Sequence, residues 1–347
     1  MKLLICTQVI DKTDSNLGFF HRWVEEFASQ CEFVTVICLR RGEYSFPSNV
    51  RVLSLGKEEG TNRLTRIVRF YKYIFDARKS CDAVFVHMNA EYAVLGGWFW
   101  KRWGKRIGLW YAHKSVTPIL QFGMRFIDLV FTVAPDSFKI ATEKVRAVGH
   151  GIDTELFKPA IREPSLETRI ITTGRIAGSK HLLEMLEVLD VLHSRGELFT
   201  FTVVGQPITP EEEKYAAHLR AEIAKRPYHA KVIMRGCIMH DNLPAVLNLQ
   251  DIFLNFATTG NMDKAGLEAL STGVPVLSTN ENYKPLLQPF DLFVPSTHPA
   301  LIAEAMQKFI SKSDRDKSGI AATLRNKVVA EHSLHKLIPK ILFFYDA

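Results

Sequence analysis

The run FATTGNMDKAGLEALSTGVPVLS, residues 256–278, holds a strand end, a loop, a helix and a second strand in one sweep. An apolar run over residues 252–256 leads into a polar loop, 258–263. A short helical pattern follows, with Leu267 and Leu270 apolar and Glu268 between them. Gly273 stops that helix, Pro275 follows two residues on, and Val276 and Leu277 resume as a strand. A polar loop and a helix start are therefore expected at the carboxyl end of a parallel strand. Open α/β sheets bind ligands in that position, and the unpaired N–H groups of a helix start suit an anion. Alone, the stretch would read as one more βαβ connection.

The same rhythm extends in both directions. Apolar runs at residues 2–10, 33–39, 50–55, 83–88, 107–112 and 129–133 are interleaved with helical patterns at 19–29, 63–79, 91–103 and 118–126. Further on, runs at 170–173, 199–204, 231–234, 251–256, 275–278 and 291–294 come with helical patterns at 180–194, 211–225, 243–248 and 299–310. Strands alternating with helices predict parallel pairing through right-handed crossovers. The polar, proline-bearing stretch FKPAIREPSLET, residues 157–168, divides the series. The fold class is α/β: two Rossmann-like, doubly wound domains in tandem, facing across a cleft. The first covers residues 1–160 and the second 161–330. A last helical pattern at 334–345, interrupted by Pro339, puts residues 331–347 in position to reach back across the joint.

A chain of 347 residues is long enough for two separate cores. Its five cysteines, Cys6, Cys31, Cys38, Cys81 and Cys237, are odd in number and form no CxxC. That pattern fits reduced thiols in a cytosolic protein better than a disulfide framework. The opening MKLLICTQVID has too short an apolar run for a signal peptide and reads as a first strand. No uncharged apolar stretch approaches the roughly 18 residues of a membrane span. The expectation is a cytoplasmic protein, soluble or peripheral at the inner face of the cell membrane. The net charge of +7 is unevenly placed: residues 1–160 hold 23 Lys and Arg against 16 Asp and Glu, whereas residues 161–347 hold 21 of each. The first half is thus the half expected to meet something anionic.

GRIAGSKH, residues 174–181, directly follows a strand and opens a helix. Gly174 allows a tight turn, and Arg175 and Lys180 set two cations beside the helix start, the parts of a diphosphate site. A solvated loop with two surface bases would look the same. The glycine spacing is not that of a P-loop, and no GxGxxG, GxSxG or HExxH occurs. The missing GxGxxG argues against a dinucleotide oxidoreductase. Asp314-Arg315-Asp316 is the only Asp-x-Asp, and it reads as a solvated turn in a charged loop, not a metal site.

These pieces form an ordered series. His150-Gly151-Ile152-Asp153 with Phe157 and Pro159 comes before the joint, and Gly174, Arg175, Ile176 and Lys180 follow the first strand of the second domain. Gly236-Cys237-Ile238 follows a later strand, and Leu267-Glu268-Ala269-Leu270 runs on through Gly273, Pro275 and Val276. In order and spacing the series resembles the retaining glycosyltransferases of family 4, whose architecture is GT-B. The likeness spans at least residues 148–276. Over the first half it is looser, resting on the loop at Gly18 and on His113 after a strand.

The resemblance implies a nucleotide diphosphate-sugar donor held by the second domain and a glycan or lipid-linked acceptor presented by the first, with no cofactor and no metal. Arg175 and Lys180 would hold the diphosphate and offset charge on the leaving group. Glu268 would accept hydrogen bonds from the ribose, and main chain at Gly236, Cys237 and Ile238 would lie near the base. His113 would contact the transferred sugar or the reacting centre, and Gly18 would let its loop approach the donor. The family's second glutamate, eight residues before Glu268, is Gly260 in this chain. Asp263 and Lys264 are the nearest charged residues to take its place, with Ala265, Gly266 and Leu267 also counted as donor contacts. The catalytic set is His113, Arg175, Lys180 and Asp263. A nucleotide-sugar epimerase or an inactive transferase-like protein of the same fold is the alternative. A lone His113 or His87 at a strand end would also suit a structural residue.

The basic first half raises a separate expectation. In NRLTRIVRFYKYIFDARKS, residues 62–80, Leu64, Ile67, Val68, Tyr71, Ile74 and Phe75 fall on one helical face. Arg66, Arg69, Lys72 and Lys79 fall elsewhere, with Phe70 and Tyr73 among them. WFWKRWGKR, residues 98–106, adds aromatics beside four more cations. Such helices lie on anionic lipid headgroups or pack on a core with a solvated basic face. An anionic membrane surface is therefore a candidate partner. The neutral second half argues against nucleic acid.

Overall fold

The computed structural model describes residues 1–14, 16–257 and 262–346, so Gly260 lies outside the described residues. Two compact units emerge. One joins Met1–Asp153 to the segment that begins at Glu331, and the other is Thr154–Ala330.

In the first unit the elements run β1 (Lys2–Ile10), α1 (Phe20–Gln30), β2 (Phe33–Arg41), β3 (Val50–Ser54), α2 (Arg63–Ala77), β4 (Ala83–His87), α3 (Glu91–Arg102), β5 (Arg106–Trp110), α4 (Pro118–Gly123), β6 (Leu129–Thr132) and β7 (Val145–Ala147). The strands form a parallel sheet in the order β3-β2-β1-β4-β5-β6-β7. Alternate side chains of β1 feed opposite cores, as the pleat requires. Leu3 and Ile5 meet Phe20, Trp23 and Phe27 of α1 together with Leu337 and Ile341 of the last helix, Leu334–Asp346. Leu4 and Cys6 meet Phe70 and Ile74 of α2 and Trp100 of α3. Both faces are covered, which is why these strands read as continuous apolar runs.

The second unit runs β8 (Thr168–Thr173), α5 (Leu182–Ser194), β9 (Phe199–Val204), α6 (Pro210–Ala224), β10 (Val232–Gly236), α7 (Leu243–Leu247), β11 (Ile252–Asn255), α8 (Lys264–Ser271), β12 (Val276–Ser278), α9 (Lys284–Leu287), α10 (Pro299–Ile310) and α11 (Asp314–Glu331). Its sheet is also parallel, in the order β10-β9-β8-β11-β12. The order reverses between β8 and β11, so a ligand crevice is expected at their carboxyl ends. Among the described residues, no helix is long and apolar enough to cross a membrane.

Three sequence expectations are corrected. Asp314-Arg315-Asp316 is no loop turn; it opens the helix α11. Ser313 Oγ accepts the Asp316 N–H at 3.1 Å and donates to the Asp316 carboxylate at 2.7 Å, a capping arrangement that starts the helix. Residues 291–294 make no strand, only an isolated bridge from Phe293 to Ser278. On α2 the buried residues are Phe70, Ile74 and Ala77, while Leu64, Val68 and Phe75 are exposed. The Phe70 ring packs against Tyr92 at 5.6 Å and Trp100 at 6.1 Å between centroids, and this large side chain sets the rotation of the helix.

The HGID segment closes the first unit. A Cβ on Gly151 (φ +62°) would stand 2.5 Å from the Trp23 ring, and Trp23 Nε1 donates to Gly151 O at 3.3 Å. Ile152 bridges to Ser333, and Arg22 Nε donates to Asp153 Oδ2 at 2.8 Å. Next to this bridge, burial and then Lys340 push His332 down to about 4 from its usual 6.5. The unfolded chain takes up that proton near pH 6.5 and the folded chain refuses it until about pH 4. Stability is therefore full above pH 6.5 and falls as the pH drops towards 4, by up to about 3 kcal/mol. Urea unfolding across this window should show the loss in the wild type and a flatter profile in His332→Gln. Equal slopes would remove His332 as the cause.

Candidate active site

Three strand ends of the second unit are tied together by main chain. Gly174 N donates to Val204 O at 2.9 Å, and Gly205 N donates to Gly236 O at 2.8 Å. Gly174 (φ +130°) and Gly205 (φ +143°) are in backbone conformations that a side chain strains, and a Cβ on Gly205 would stand 1.8 Å from Gly174 O. A Cβ on Gly174 would crowd Lys180 Cε at 2.9 Å, so the bare glycine lets the lysine stem lie across the end of β8.

Lys180 ends a 3₁₀ turn, Gly178–Lys180, just before α5. Its Nζ donates to Asp263 Oδ2 at 2.7 Å, with side-chain exposures of only 19% and 18%. Asp263 is the N-cap of α8: its Oδ1 accepts the Gly266 N–H at 3.3 Å and the Asn255 amide at 2.7 Å. Tyr283 donates to Asp263 O at 2.6 Å. Burial pushes the Asp263 carboxyl up, but the Lys180 charge and hydrogen bond, aided by Gly266 and Asn255, outweigh it and hold the group below its usual range. Burial and then the neighbouring Asp263 push the Tyr283 phenol well above its usual value, so it remains a neutral donor. An ammonium has three N–H donors, and the bond to Asp263 uses one of them.

Glu268 lies on the same helix as the Asp263 cap and is buried. Its Oε1 is 3.0 Å from His240 Nε2 and 3.9 Å from Lys264 Nζ. The imidazole nitrogen facing the carboxylate is thereby the one that carries a proton. Phe157 backs His240, with ring centroids 5.0 Å apart. The Phe157 carbonyl accepts Ser271 Oγ at 2.5 Å and Arg325 Nη1 at 2.9 Å. Thus Phe157 supports the histidine that supports the glutamate.

The other expected residues are placed differently. Arg175 donates to Glu212 Oε1 at 3.0 Å and is 51% exposed, so it is held by the α6 carboxylate. Glu212 itself completes the capping box of α6 with Thr209. Cys237 is exposed and Ile238 half-buried on the loop after β10. Leu267 is fully buried, leaving only its main chain for a ligand, and a Cβ on Gly266 would meet Tyr283 Oη at 2.4 Å. Ala265 is half-buried in the first turn of α8.

In the first unit, His113 is exposed on the chain after β5, with Nδ1 3.2 Å from Ser115 Oγ. Gly18 is crowded by its own loop: a Cβ there would stand 2.6 Å from Asp14 O. His87 is a core residue, buried, stacked on Phe20 at 4.0 Å and 3.2 Å from Thr7 Oγ1. Sequence reasoning passed over His240, Tyr283, Asn255 and Glu212. A polar Asn255 ending an otherwise apolar strand was the available signal. Among the described residues, no group of three or more His, Cys, Asp or Glu could hold a metal ion.

Residues 153–324 match the family model described as glycosyl transferases group 1. A phosphatidylinositol N-acetylglucosaminyltransferase chain of Arabidopsis thaliana is 28% identical over 204 residues, 56% of this chain and 44% of that protein. The UDP-Gal:alpha-D-GlcNAc-diphosphoundecaprenol alpha-1,3-galactosyltransferase of Escherichia coli is 24% identical over 221 residues, 58% of this chain and 54% of that protein. The matched region thus spans about half the length of these curated relatives. Among solved structures, Anabaena Alr3699/HepE in complex with UDP and glucose superposes with a TM-score of 0.77 at 15% identity, covering 100% of both chains.

Proposed function

We propose that this chain, which carries a glycosyl transferases group 1 domain on a GT-B fold, moves a hexosyl group from a nucleotide diphosphate-sugar to a glycan or lipid-linked acceptor. The transfer retains anomeric configuration and needs no metal. One observation carries the reading: Lys180 is fixed against the Asp263 cap of α8, and the buried Glu268 sits five residues further along. At a rise of about 1.5 Å per residue, the Asp263 cap that holds the cation and the Glu268 position are about 7.5 Å apart along the helix axis, the scale of a diphosphate and its ribose.

As the bond from C1 to the β-phosphate oxygen breaks, negative charge grows on the phosphate, and the Lys180 ammonium offsets it. The acceptor oxygen bonds to C1, and its proton ends on the released nucleotide diphosphate. Arg175 reaches the same phosphates from its Glu212 tether, and Asp263 and Lys264 serve the donor where Gly260 replaces a glutamate. Glu268 takes the ribose hydroxyls, and the loop Gly236–Ile238 meets the base. In the first unit, His113 contacts the transferred sugar and the Gly18 loop borders the donor. The named acceptors of the two curated relatives, phosphatidylinositol and a diphosphoundecaprenol glycan, are phosphate-bearing lipids. They favour a lipid-linked acceptor and a first unit working against an anionic membrane surface.

A thermal-shift panel of UDP-, GDP- and ADP-sugars tests the donor site. At about a hundred times its Kd, a true donor adds about 2.7 kcal/mol of stability by mass action. One base should stand out in the wild type and lose its effect in Lys180→Met. A flat panel across all three bases would sink the reading.

A further inference from the structure

On the first unit, α2, α3 and α4 form one layer. Phe75 of α2 meets Phe99 of α3 edge-on at 5.1 Å, and Gly97 of α3 lies so close to Phe126, which follows α4, that a Cβ would stand 2.5 Å from the Phe126 Cβ. Where this layer meets the ends of β2 and β3 there is a cavity of about 410 Å³. Ile67, Phe70, Leu95 and Ile119 give it apolar walls, and Arg63 and Arg66 of α2, exposed and half-buried respectively, also line it. Its lining holds one carboxylate, Glu91, against those two guanidiniums. Arg66 Nε donates to Asn62 O at 3.2 Å, and neither arginine is paired with a carboxylate among the described residues.

Outside the cavity the same layer leaves large apolar side chains bare: Leu64 at 70%, Val68 at 60% and Trp98 at 60% exposure, with Phe122 of α4 also exposed. Neither a free sugar nor inorganic phosphate would cover such residues. A solvated basic helix face accounts for the arginines, but it accounts neither for the apolar slot beneath them nor for the bare leucine, valine and tryptophan. Both features suit one ligand chemistry, an anionic group joined to a hydrocarbon chain.

We infer that this cavity binds the phosphate end of an anionic lipid, with Arg63 and Arg66 on the phosphate and the first carbons of the chain against Ile67, Leu95 and Ile119. Leu64, Val68 and Trp98 then enter the lipid surface around it. The inference rests on the first unit being the acceptor side and narrows the acceptor to a phosphate-headed amphiphile.

The test is calorimetric titration of the full chain with dodecyl phosphate below its micelle-forming concentration, alongside inorganic phosphate and dodecyl maltoside. Dodecyl phosphate should bind tightest of the three. Arg63→Gln/Arg66→Gln should weaken it about tenfold or more, given about a fivefold effect per base near an anionic surface. Ile119→Trp, which fills the slot, should do the same, whereas Lys79→Gln should not. Vesicles of phosphatidylcholine with phosphatidylglycerol should retain the wild type and release the double variant. Dodecyl phosphate binding no better than inorganic phosphate, or equally well in wild type and double variant, would overturn the inference. The nucleotide-sugar shift of the second unit is read on the same proteins: it should persist in the arginine variants, so loss of the lipid site and loss of the donor site are distinguishable.

Discussion

Replacing Lys180 with methionine should lower donor turnover by about 10²–10³-fold and destabilise the fold by about 3 kcal/mol. Two separate losses are combined. In the bound complex, the charge that meets the departing phosphate is gone. In the free protein, Asp263 is left half-buried with its counter-charge deleted. The pH signs separate the two. In the wild type the Asp263 pKa lies below its usual 3.8, so its contribution is present above that pH and drains away as the pH falls below it. In Lys180→Met both contributions of the lysine are gone, so the Asp263 pKa rises and less stability is lost on acidification than in the wild type. Adding Asp263→Asn should restore most of the stability and none of the turnover. Urea unfolding at several pH values and single-turnover kinetics measure both. A variant that transfers sugar at the wild-type rate would move the diphosphate site elsewhere.

Glu268→Ala should lower kcat/KM for the preferred donor by about 10²-fold, from hydrogen bonds to a charged acceptor worth about 1.5–3 kcal/mol each. The sharper readout is selectivity. Wild-type protein should discriminate strongly between ribose and 2′-deoxyribose nucleotides, because a buried carboxylate left without its hydroxyl partner is costly. In Glu268→Ala the two sugars should bind alike. His240→Ala should lie between these limits, since Nε2 at 3.0 Å orients the carboxylate without touching the ribose in this reading. Nucleotide competition by calorimetry settles the matter, and unchanged discrimination in Glu268→Ala would exclude the ribose assignment.

What could be read from residues alone followed from burial on two sides. β1 and β9 have the bounds that their apolar runs suggested, because both faces of each strand meet side chains. The pairing of Lys180 with Asp263 was hidden, since 83 residues separate them and only the order of the strands brings them together. The helix α11 was missed because only Leu324 and Val328 of its 18 residues are buried, too thin a stripe to show as a period. Its Ser313–Asp316 cap was the signal that remained. The rotation of α2 was misjudged by counting apolar residues: Leu64 and Val68 face outward, while Phe70 takes the core place. His240 reaches Glu268 through a turn whose direction no spacing encodes.

The last helix supplies Leu334, Leu337, Ile338, Ile341 and Tyr345 to the same core as β1 and α1, and Tyr345 Oη donates to Val84 O at 2.7 Å. The unit whose synthesis starts earlier is therefore completed later. While the ribosome makes the intervening Thr154–Ala330 segment, α1 alone covers part of that apolar face, and only the emergence of the last helix completes the cover. A stop codon near Glu331 would spare every residue of the donor site, yet leave the opening unit without its lid of leucines and isoleucines.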